Sequence, residues 1–133
     1  MALGSCNCGG VTFKVEKSLS DVYLCHCSIC RKATGAAGIE VVVVPKHLFW
    51  WTAGETLITH WAKPGHDWQM NFCRICGSPL PGDNDEANVF IPVGFLSDGT
   101  KNLKVAHHIW VGSKAIWDDV GESGVQHLEA LDQ

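Results

Sequence analysis

The sequence lacks the features that several large functional classes require. Its 133 residues carry 10 basic and 14 acidic side chains, which gives a formal net charge of −4. Domains that bind nucleic acids usually present a basic face, so this balance argues against a nucleic-acid partner. No apolar run approaches the ~20 residues that a membrane-spanning helix needs, and we therefore expect no membrane segment.

Targeting signals and the common nucleotide-binding and hydrolase motifs are missing as well. The first residues, Met-Ala-Leu-Gly-Ser-Cys, have neither a basic start nor an apolar core, so we expect no signal peptide. There is no Walker A loop, no dinucleotide fingerprint, no G-x-S-x-G elbow and no H-E-x-x-H helix. The expected absence of a signal peptide favours a cytoplasmic protein, in a compartment where thiols stay reduced.

Long helical periodicity is scarce, and short segments rich in Val, Ile, Phe and Trp lie between Gly and Pro residues. The strand candidates are residues 10–17, 21–27, 38–45, 54–61, 68–73, 88–96 and 107–111. Pro92 within one candidate indicates an edge strand or a bulge. We expect one helical turn after Ser28 as N-cap, ended by Gly35, and a short terminal helix over residues 123–132.

These patterns predict a fold class that is mainly β, with folded antiparallel sheets and few short helical turns. The length of the chain fits one domain spanning residues 1–133. The tryptophans in this small β protein could line a pocket, but packing in the core and at sheet edges is the more common role.

Cysteine is what the sequence has in excess. Its seven residues fall into three clusters: Cys6 and Cys8; Cys25, Cys27 and Cys30; Cys73 and Cys76. An odd number suits a disulfide framework poorly, and the sulfurs of a Cys-x-Cys pair on an extended chain lie on the same side. In a reducing compartment such clusters more often bind a metal or perform redox chemistry.

The first and last clusters together offer four ligands. Cys73 and Cys76 are followed by Gly77, the tight turn of zinc knuckles, and Cys6 and Cys8 are followed by two glycines. We predict that these four residues form a closed, structural zinc site that staples the fold. Buried free cysteines are an alternative, and so is a redox dithiol, although the βαβ pattern that would support a redox motif is missing.

The middle cluster has one ligand fewer than a closed site. Cys25, Cys27 and Cys30 can hold one zinc ion from a single segment and leave a coordination position open, as in catalytic zinc sites. Alternatively the trio is an inert site, or a histidine fills the fourth position. The candidate histidines are His26, His60, His66, His107 and His108.

The residues around the middle cluster suggest what it could bind. Zinc with three thiolates carries a formal charge of −1 and suits a soft ligand such as a thiol that loses its proton. Arg31 and Lys32 could offset that charge or bind a substrate carboxylate, or they could be solvated surface residues. Strand alternation points His26 away from the metal, and His107 and His108 are expected to be a surface or turn pair.

The complete series of motifs is CNCGGVTF, CHCSICRKATG, FCRICGSPL and HIWVGSKAIW. It resembles the glutathione-dependent formaldehyde-activating enzyme family, whose domain is shared with centromere-protein-V-like proteins, from about Gly4 to about Trp117. The resemblance implies a β-tent fold of folded antiparallel sheets and two zinc ions per chain. It places the structural zinc on the four-cysteine set and the catalytic zinc on Cys25, Cys27 and Cys30.

The resemblance also implies an activity. It indicates a zinc-dependent carbon–sulfur lyase or synthase that acts on glutathione and formaldehyde, or on a related thiol adduct, with a small thiol as the partner. The same scaffold could act on a different small electrophile, or serve as a non-enzymatic zinc module that binds a protein. Because three ligands hold a metal less tightly than four, partial occupancy of the second zinc is expected.

Overall fold

A computed structural model describes residues 1–131. The strands in this part of the chain are β1 Ala2–Ser5, β2 Thr12–Val15, β3 Asp21–Cys25, β4 Ile39–Pro45, β5 Phe49–Ala53, β6 Ile58–Ala62, β7 Gln69–Cys73, β8 Pro79–Leu80, β9 Gly82–Asp83, β10 Asn88–Pro92, β11 Leu96–Asp98, β12 Lys104–Ile109 and β13 Val125–Gln126. The mainly β prediction is therefore confirmed.

Helical structure is limited to short segments. The α-helix α1 covers Ser28–Thr34, and the 3-10 turns are Lys46–Leu48, Glu55–Leu57, Val93–Phe95 and Val111–Ser113. No helix within residues 1–131 has the length and apolar character needed to cross a bilayer. Gly35 ends α1 in the left-handed conformation with φ 68°, as its position in the sequence predicted.

Two helix predictions need correction. The N-cap of α1 is Cys27, whose Sγ accepts a hydrogen bond from the Cys30 backbone N–H at 3.3 Å, and Ser28 is the first helical residue. The terminal helix is wrong over residues 123–131, which contain β13; residue 132 lies outside the described residues. Here the backbone bonds to the end of β12 and the turn after it instead of to itself: His127 donates to the His108 carbonyl, and Trp110 to that of Glu129.

The strands form three sheets. Their orders are β11-β1-β2-β5, β13-β12-β3-β4-β10-β9 and β6-β7-β8. The pairs are antiparallel, as predicted, except in the second sheet, where β12 runs parallel to both β3 and β13. The parallel pair β3–β12 lays the late strand beside the middle cysteine cluster, because Ile109 is the register partner of Cys25.

The main core lies between the first two sheets. Phe13 and Val15 of β2 are buried against Val42 and Val44 of β4 and Ile91 of β10. The alternation predicted in β2 is confirmed. The continuous apolar run of β4 was interpreted as a buried strand, but only alternate residues are fully buried there. The half-buried side chains on the other face of β4 are therefore available to line a cleft.

A smaller core surrounds the first and last cysteine clusters. Val11 and Leu80 are fully buried there with Cys6 and Cys73, and Trp51 packs against both cores. Trp51 therefore has the packing role that was expected of the tryptophans. Pro92, predicted at an edge or bulge, ends β10 beyond the two residues that pair with β9, so it pairs with β4 alone, and a 3-10 turn separates the strand from β11. This turn divides a segment that the pattern had predicted as one strand.

Candidate metal centres and adjoining clefts

The four-cysteine set comes together as predicted. The Sγ atoms of Cys6, Cys8, Cys73 and Cys76 all lie within 4.8 Å of one another. The Cys6–Cys8 and Cys8–Cys73 Sγ distances are 3.5 and 3.8 Å. A Zn–S bond of about 2.3 Å in a tetrahedron gives a sulfur–sulfur edge of about 3.8 Å. The donor set therefore fits a zinc ion.

Two turns position these sulfurs. The backbone N–H of Val11 donates to Cys6 Sγ at 3.3 Å, and the Cys73-to-Cys76 turn continues through Gly77 with φ 75°. Ser78 Oγ accepts from the Asn7 backbone N–H at 3.0 Å and lies 3.3 Å from Cys76 Sγ. Its hydroxyl thus connects the first cluster to the last. Hydrogen bonds from the Ser78 side chain and backbone lower the pKa of Cys76 to about 5.

The middle cluster forms where β3 turns into α1. Cys25 ends the strand, Cys27 caps the helix, Cys30 lies in its first turn, and the three Sγ atoms are within 4.8 Å of one another. Within residues 1–131 no histidine or carboxylate belongs to this group of ligand atoms. Three soft donors in one small volume fit a zinc ion.

The three sulfurs are close enough to perturb one another's pKa values. A hydrogen bond from the Cys30 thiol lowers the pKa of Cys25 to about 6, while the same contact and burial raise the pKa of Cys30. One thiolate thus depends on a neighbour that keeps its proton. A divalent cation would remove this conflict, because it stabilises all three sulfurs as thiolates.

Next to the trio lies a buried chain of hydrogen-bonding groups. His26 Nε2 is 2.8 Å from His108 Nδ1, His108 Nε2 is 2.6 Å from the Ser123 carbonyl oxygen, and His26 Nδ1 is 3.3 Å from Asp118 Oδ2. His26 therefore points away from the sulfurs, as the alternation indicated. His108 is buried within β12, so the expectation that His107 and His108 form a surface or turn pair is wrong for His108.

The two imidazoles share one hydrogen bond, and a second one leads to the backbone. The Ser123 carbonyl can only accept, so His108 Nε2 carries a proton, and one further proton lies between the two imidazoles. His26 Nδ1 and Asp118 Oδ2 lie 3.3 Å apart without hydrogen-bond geometry, and both are buried polar atoms without a hydrogen-bond partner among the described residues. Burial and the charge of His108 lower the pKa of His26, while Asp118 opposes the shift.

The two basic residues after Cys30 differ in their surroundings. Arg31 Nη1 donates to the backbone carbonyls of His26 and Ser113, which ties the cysteine turn to the 3-10 turn after β12. Lys32 is exposed and lines a cleft. Neither Asp118 nor Ser123 was singled out from the sequence, since nothing local marks a residue that meets a histidine 15 positions away, as Ser123 does, or 92 positions away, as Asp118 does.

An apolar cleft with a volume of about 200 Å³ opens beside the trio. Cys25 and Cys30 form part of its wall. The other apolar residues that line it are Ala33, Ile39, Val41, Trp68, Met70, Pro79, Leu80, Phe90, Pro92 and Ile109, and its polar residues are Asp67, Gln69, Asp83 and Asn84. We call it the apolar cleft. It places the three-sulfur site beside a solvent-accessible space.

A second cleft with a volume of about 520 Å³ lies on the other side of α1. Its basic residues are Lys32, Lys63 and His66, and its other residues are Ser28, Ile29, Ala33, Trp61, Trp68 and Met70. We call it the basic cleft. Trp61 and Trp68 meet edge to face with ring centroids 6.2 Å apart. The hypothesis that tryptophans line a pocket thus holds for these two, in addition to the packing role of Trp51.

Comparison with known proteins agrees with the motifs. The model of the glutathione-dependent formaldehyde-activating enzyme family matches residues 1–113. A Halomonas elongata protein named for glutathione-dependent formaldehyde activation is 30% identical over 89 residues, which are 58% of this chain and 52% of that protein. The chain thus spans about half the length of this curated relative.

A solved structure supports the fold. The crystal structure of a Rhodobacter sphaeroides protein superposes with a TM-score of 0.58 at 22% identity, and covers 71% of this chain and 87% of that protein. At this identity the likeness concerns the fold alone. Because the family model covers most of the sequence and includes all seven cysteines, the chain belongs to the glutathione-dependent formaldehyde-activating enzyme family.

Proposed function

We propose that the chain catalyses the reversible addition of glutathione, or of a related thiol, to formaldehyde at a zinc ion held by Cys25, Cys27 and Cys30. In the reverse direction it is a carbon–sulfur lyase that acts on S-hydroxymethylglutathione. One observation carries the proposal: the three-sulfur group, which no histidine or carboxylate of residues 1–131 completes, borders an open cleft. Family membership supports the reaction class.

The roles of the two cysteine sets follow from their surroundings. A zinc ion on the trio would supply a position at which a substrate thiol loses its proton and becomes nucleophilic. The residues of this chain hold that position in place: α1 is capped by Cys27, and the Arg31 guanidinium bonds to two carbonyls that flank the site. The four-cysteine set, none of whose side chains lines the apolar cleft, is assigned a second, structural zinc.

The basic cleft is assigned to the charged part of the thiol. Lys32 and Lys63 line it without any acidic residue among its lining side chains, in a protein whose net charge is −4. Glutathione carries two carboxylates, and ammonium groups attract them. Trp68 and Met70 border both clefts, so one thiol can reach the sulfurs while its carboxylates lie near Lys32. Because Arg31 is engaged with backbone carbonyls, our proposal gives the substrate contact to Lys32.

The deciding experiment measures the metal and the thiol separately. Protein purified without chelator is expected to bind two zinc ions, and the Cys27→Ser variant to bind about one while it keeps its fold by circular dichroism. With cobalt in place of zinc, glutathione is expected to change the visible spectrum of the wild type and not that of the variant. If glutathione leaves the cobalt spectrum of the doubly loaded wild type unchanged, the proposal fails and a non-enzymatic zinc module becomes the better interpretation.

A further inference from the structure

We propose that the apolar cleft binds the carbon chain of the electrophile, so that the enzyme also accepts neutral apolar aldehydes longer than formaldehyde. This inference rests on the proposed function and adds to it the class of the second substrate. Formaldehyde has no carbon chain. A cleft of about 200 Å³ has room for several groups of its size, since a water molecule occupies about 30 Å³.

The walls of the cleft are suited to an alkyl chain. Ile39 and Val41 line it from β4, Phe90 from β10 and Ile109 from β12, and each of these side chains is half-buried. Buried contact with such walls favours a substrate by about fourfold for each methylene it removes from water. Formaldehyde covers none of these side chains, so this part of the site contributes nothing to its binding.

The geometry of α1 separates the site for the alkyl chain of the aldehyde from the site for the thiol. Ser28, Ile29 and Lys32 face the basic cleft, as the spacing of three and four residues requires, whereas Cys30 faces the apolar cleft. Ala33 borders both. A thiol whose carboxylates lie near Lys32 therefore crosses the border of Ala33, Trp68 and Met70 that the two clefts share, and only its sulfur end reaches the trio. The apolar side is left for the group attached to the carbonyl carbon.

Charge restricts the aldehyde further. The polar groups of the apolar cleft include Asp67 and Asp83, both exposed, and no basic residue lines it, although Lys46 pairs with Asp83 at 3.4 Å from outside the cleft. A carboxylate on the aldehyde would meet charges of its own sign and lose part of its hydration. The site is expected to prefer a neutral alkyl aldehyde to an aldehyde acid of equal length.

The reaction is the same for every aldehyde. The thiol sulfur forms a bond to the carbonyl carbon, and the π pair of the C=O bond moves to the oxygen. That oxygen takes up one proton, which equals the one that the thiol lost, so the product is a hemithioacetal. No oxidant, reductant or further reactant is needed, and the reverse reaction breaks the same carbon–sulfur bond.

A binding test without turnover uses the two methionines of the chain. Met70 lines the cleft and Met1 is 69% exposed, so methyl-labelled protein gives one reporter signal and one internal control. In zinc-loaded protein, 1-hexanol is expected to shift the Met70 methyl signal in a saturable way, with Met1 unmoved. Because Met70 also borders the basic cleft, the shift is assigned to the apolar cleft only if Val41→Phe abolishes it. Hexanoate has the same length and a negative charge. It is expected to need a concentration at least about tenfold higher than that of 1-hexanol to shift the Met70 signal equally. An unmoved Met70 signal overturns the inference.

An activity test uses aldehydes of increasing length at a fixed glutathione concentration. The ratio of the enzymatic rate to the rate of uncatalysed addition is expected to rise by about two- to fourfold per methylene from acetaldehyde to hexanal. Val41→Phe fills the cleft and is expected to lower the rate for hexanal at least about tenfold more than the rate for formaldehyde. Val125→Phe, the same change at an exposed valine of β13 that does not line the apolar cleft, is the control.

The outcomes separate the two proposals. Turnover of formaldehyde with no gain for longer aldehydes overturns this inference and leaves the proposed function standing. The same holds if Val41→Phe slows formaldehyde and hexanal equally. If no aldehyde is turned over by protein that binds two zinc ions, the proposed function fails instead. If Val41→Phe does not fold, the wild-type aldehyde series still decides the question.

Discussion

His26 Nε2 lies 2.8 Å from His108 Nδ1, and this bond joins the turn that carries the middle cysteines to the strand β12. The two residues are 82 positions apart in the sequence, and both are almost fully buried. His108 is held in turn by the Ser123 carbonyl, and Asp118 lies beside the other ring nitrogen of His26. The orientation of His26 is therefore fixed from both sides of its ring. The position of Cys25 and Cys27, on either side of His26, depends on that orientation.

Replacing His108 by alanine is expected to lower the free energy of unfolding by about 2–4 kcal/mol. The change leaves the buried His26 Nε2 without a partner, which costs about 1–3 kcal/mol, and it also removes a buried ring from the interior. Urea denaturation of the zinc-loaded protein measures the loss. Asp118→Asn is the milder companion variant: its amide can donate to His26 Nδ1, which satisfies the chain with two neutral imidazoles. A cost of Asp118→Asn equal to that of His108→Ala would contradict this account.

Two glycines test the packing around the four-cysteine set. Gly54 and Gly65 both have positive φ, near 80° and 75°, so alanine meets the same backbone strain of about 1–2 kcal/mol at either position. A Cβ at Gly54 would also meet the Gly10 carbonyl oxygen, whereas nothing lies within 4 Å at Gly65. Gly54→Ala is therefore expected to unfold at lower urea than Gly65→Ala. It should also release zinc faster to a chelator, because Gly10 follows Cys8. Equal behaviour of the two variants would contradict this account.

The thiol site can be tested by charge alone. The double variant Lys32→Met, Lys63→Met is expected to weaken the effect of glutathione on the cobalt spectrum by about tenfold or more, since two charge-assisted contacts are lost. The diethyl ester of glutathione, which has no carboxylates, is expected to bind both proteins alike. Lys17→Met, on a different groove, serves as the control. Equal weakening for the acid and the ester would argue against a carboxylate site in the basic cleft.

Asp85 gives a prediction for pH. Its carboxylate accepts hydrogen bonds from the Asn88 side chain and from the backbone N–H groups of Ala87 and Asn88. These bonds, the Asn88 side chain first, lower the pKa of Asp85 from 3.8 to about 2. The contribution of these loop hydrogen bonds to stability is therefore fully present above pH 3.8 and is lost as the pH falls through about 2. Amide signals of Ala87 and Asn88 are expected to titrate near pH 2. Asp85→Asn should abolish that step, and a midpoint near 3.8 in the wild type would contradict the assignment.

The prediction of the metal ligands from sequence succeeded for a local reason. Cys-x-Cys and Cys-x-x-Cys-Gly spacings fix where sulfurs lie within a turn, and the structure brings the predicted sets together. The error at the start of α1 is local too. Ser28 has the residue type of an N-cap, but the preceding Cys27 accepts the capping bond with its sulfur. Residue propensities predict the most common N-cap, which here is Ser28, whereas packing of the cysteine cluster makes Cys27 the N-cap.

The terminal segment shows the other limit of sequence reasoning. Residues 123–131 have residue types that suit a helix, yet their backbone groups bond to the end of β12 and the turn after it. The same packing places Asp118 and Ser123 on the histidines. Partners of this kind depend on chain segments that meet only after folding. Local patterns of hydrophobicity and spacing therefore carry no signal for them.

The sequence by itself determined the mainly β class, the family and the division of the cysteines into four and three, because strand alternation and ligand spacing act over a few residues. Only the tertiary structure decided that Cys25 and Cys30 border an apolar cleft, that Lys32 faces a basic one and that His26 is held by His108. These relationships arise where the parallel pairing of β3 with β12 and the packing of α1 bring distant segments together. Their geometry is set by the burial of side chains from several sheets at once, which no single stretch of sequence encodes.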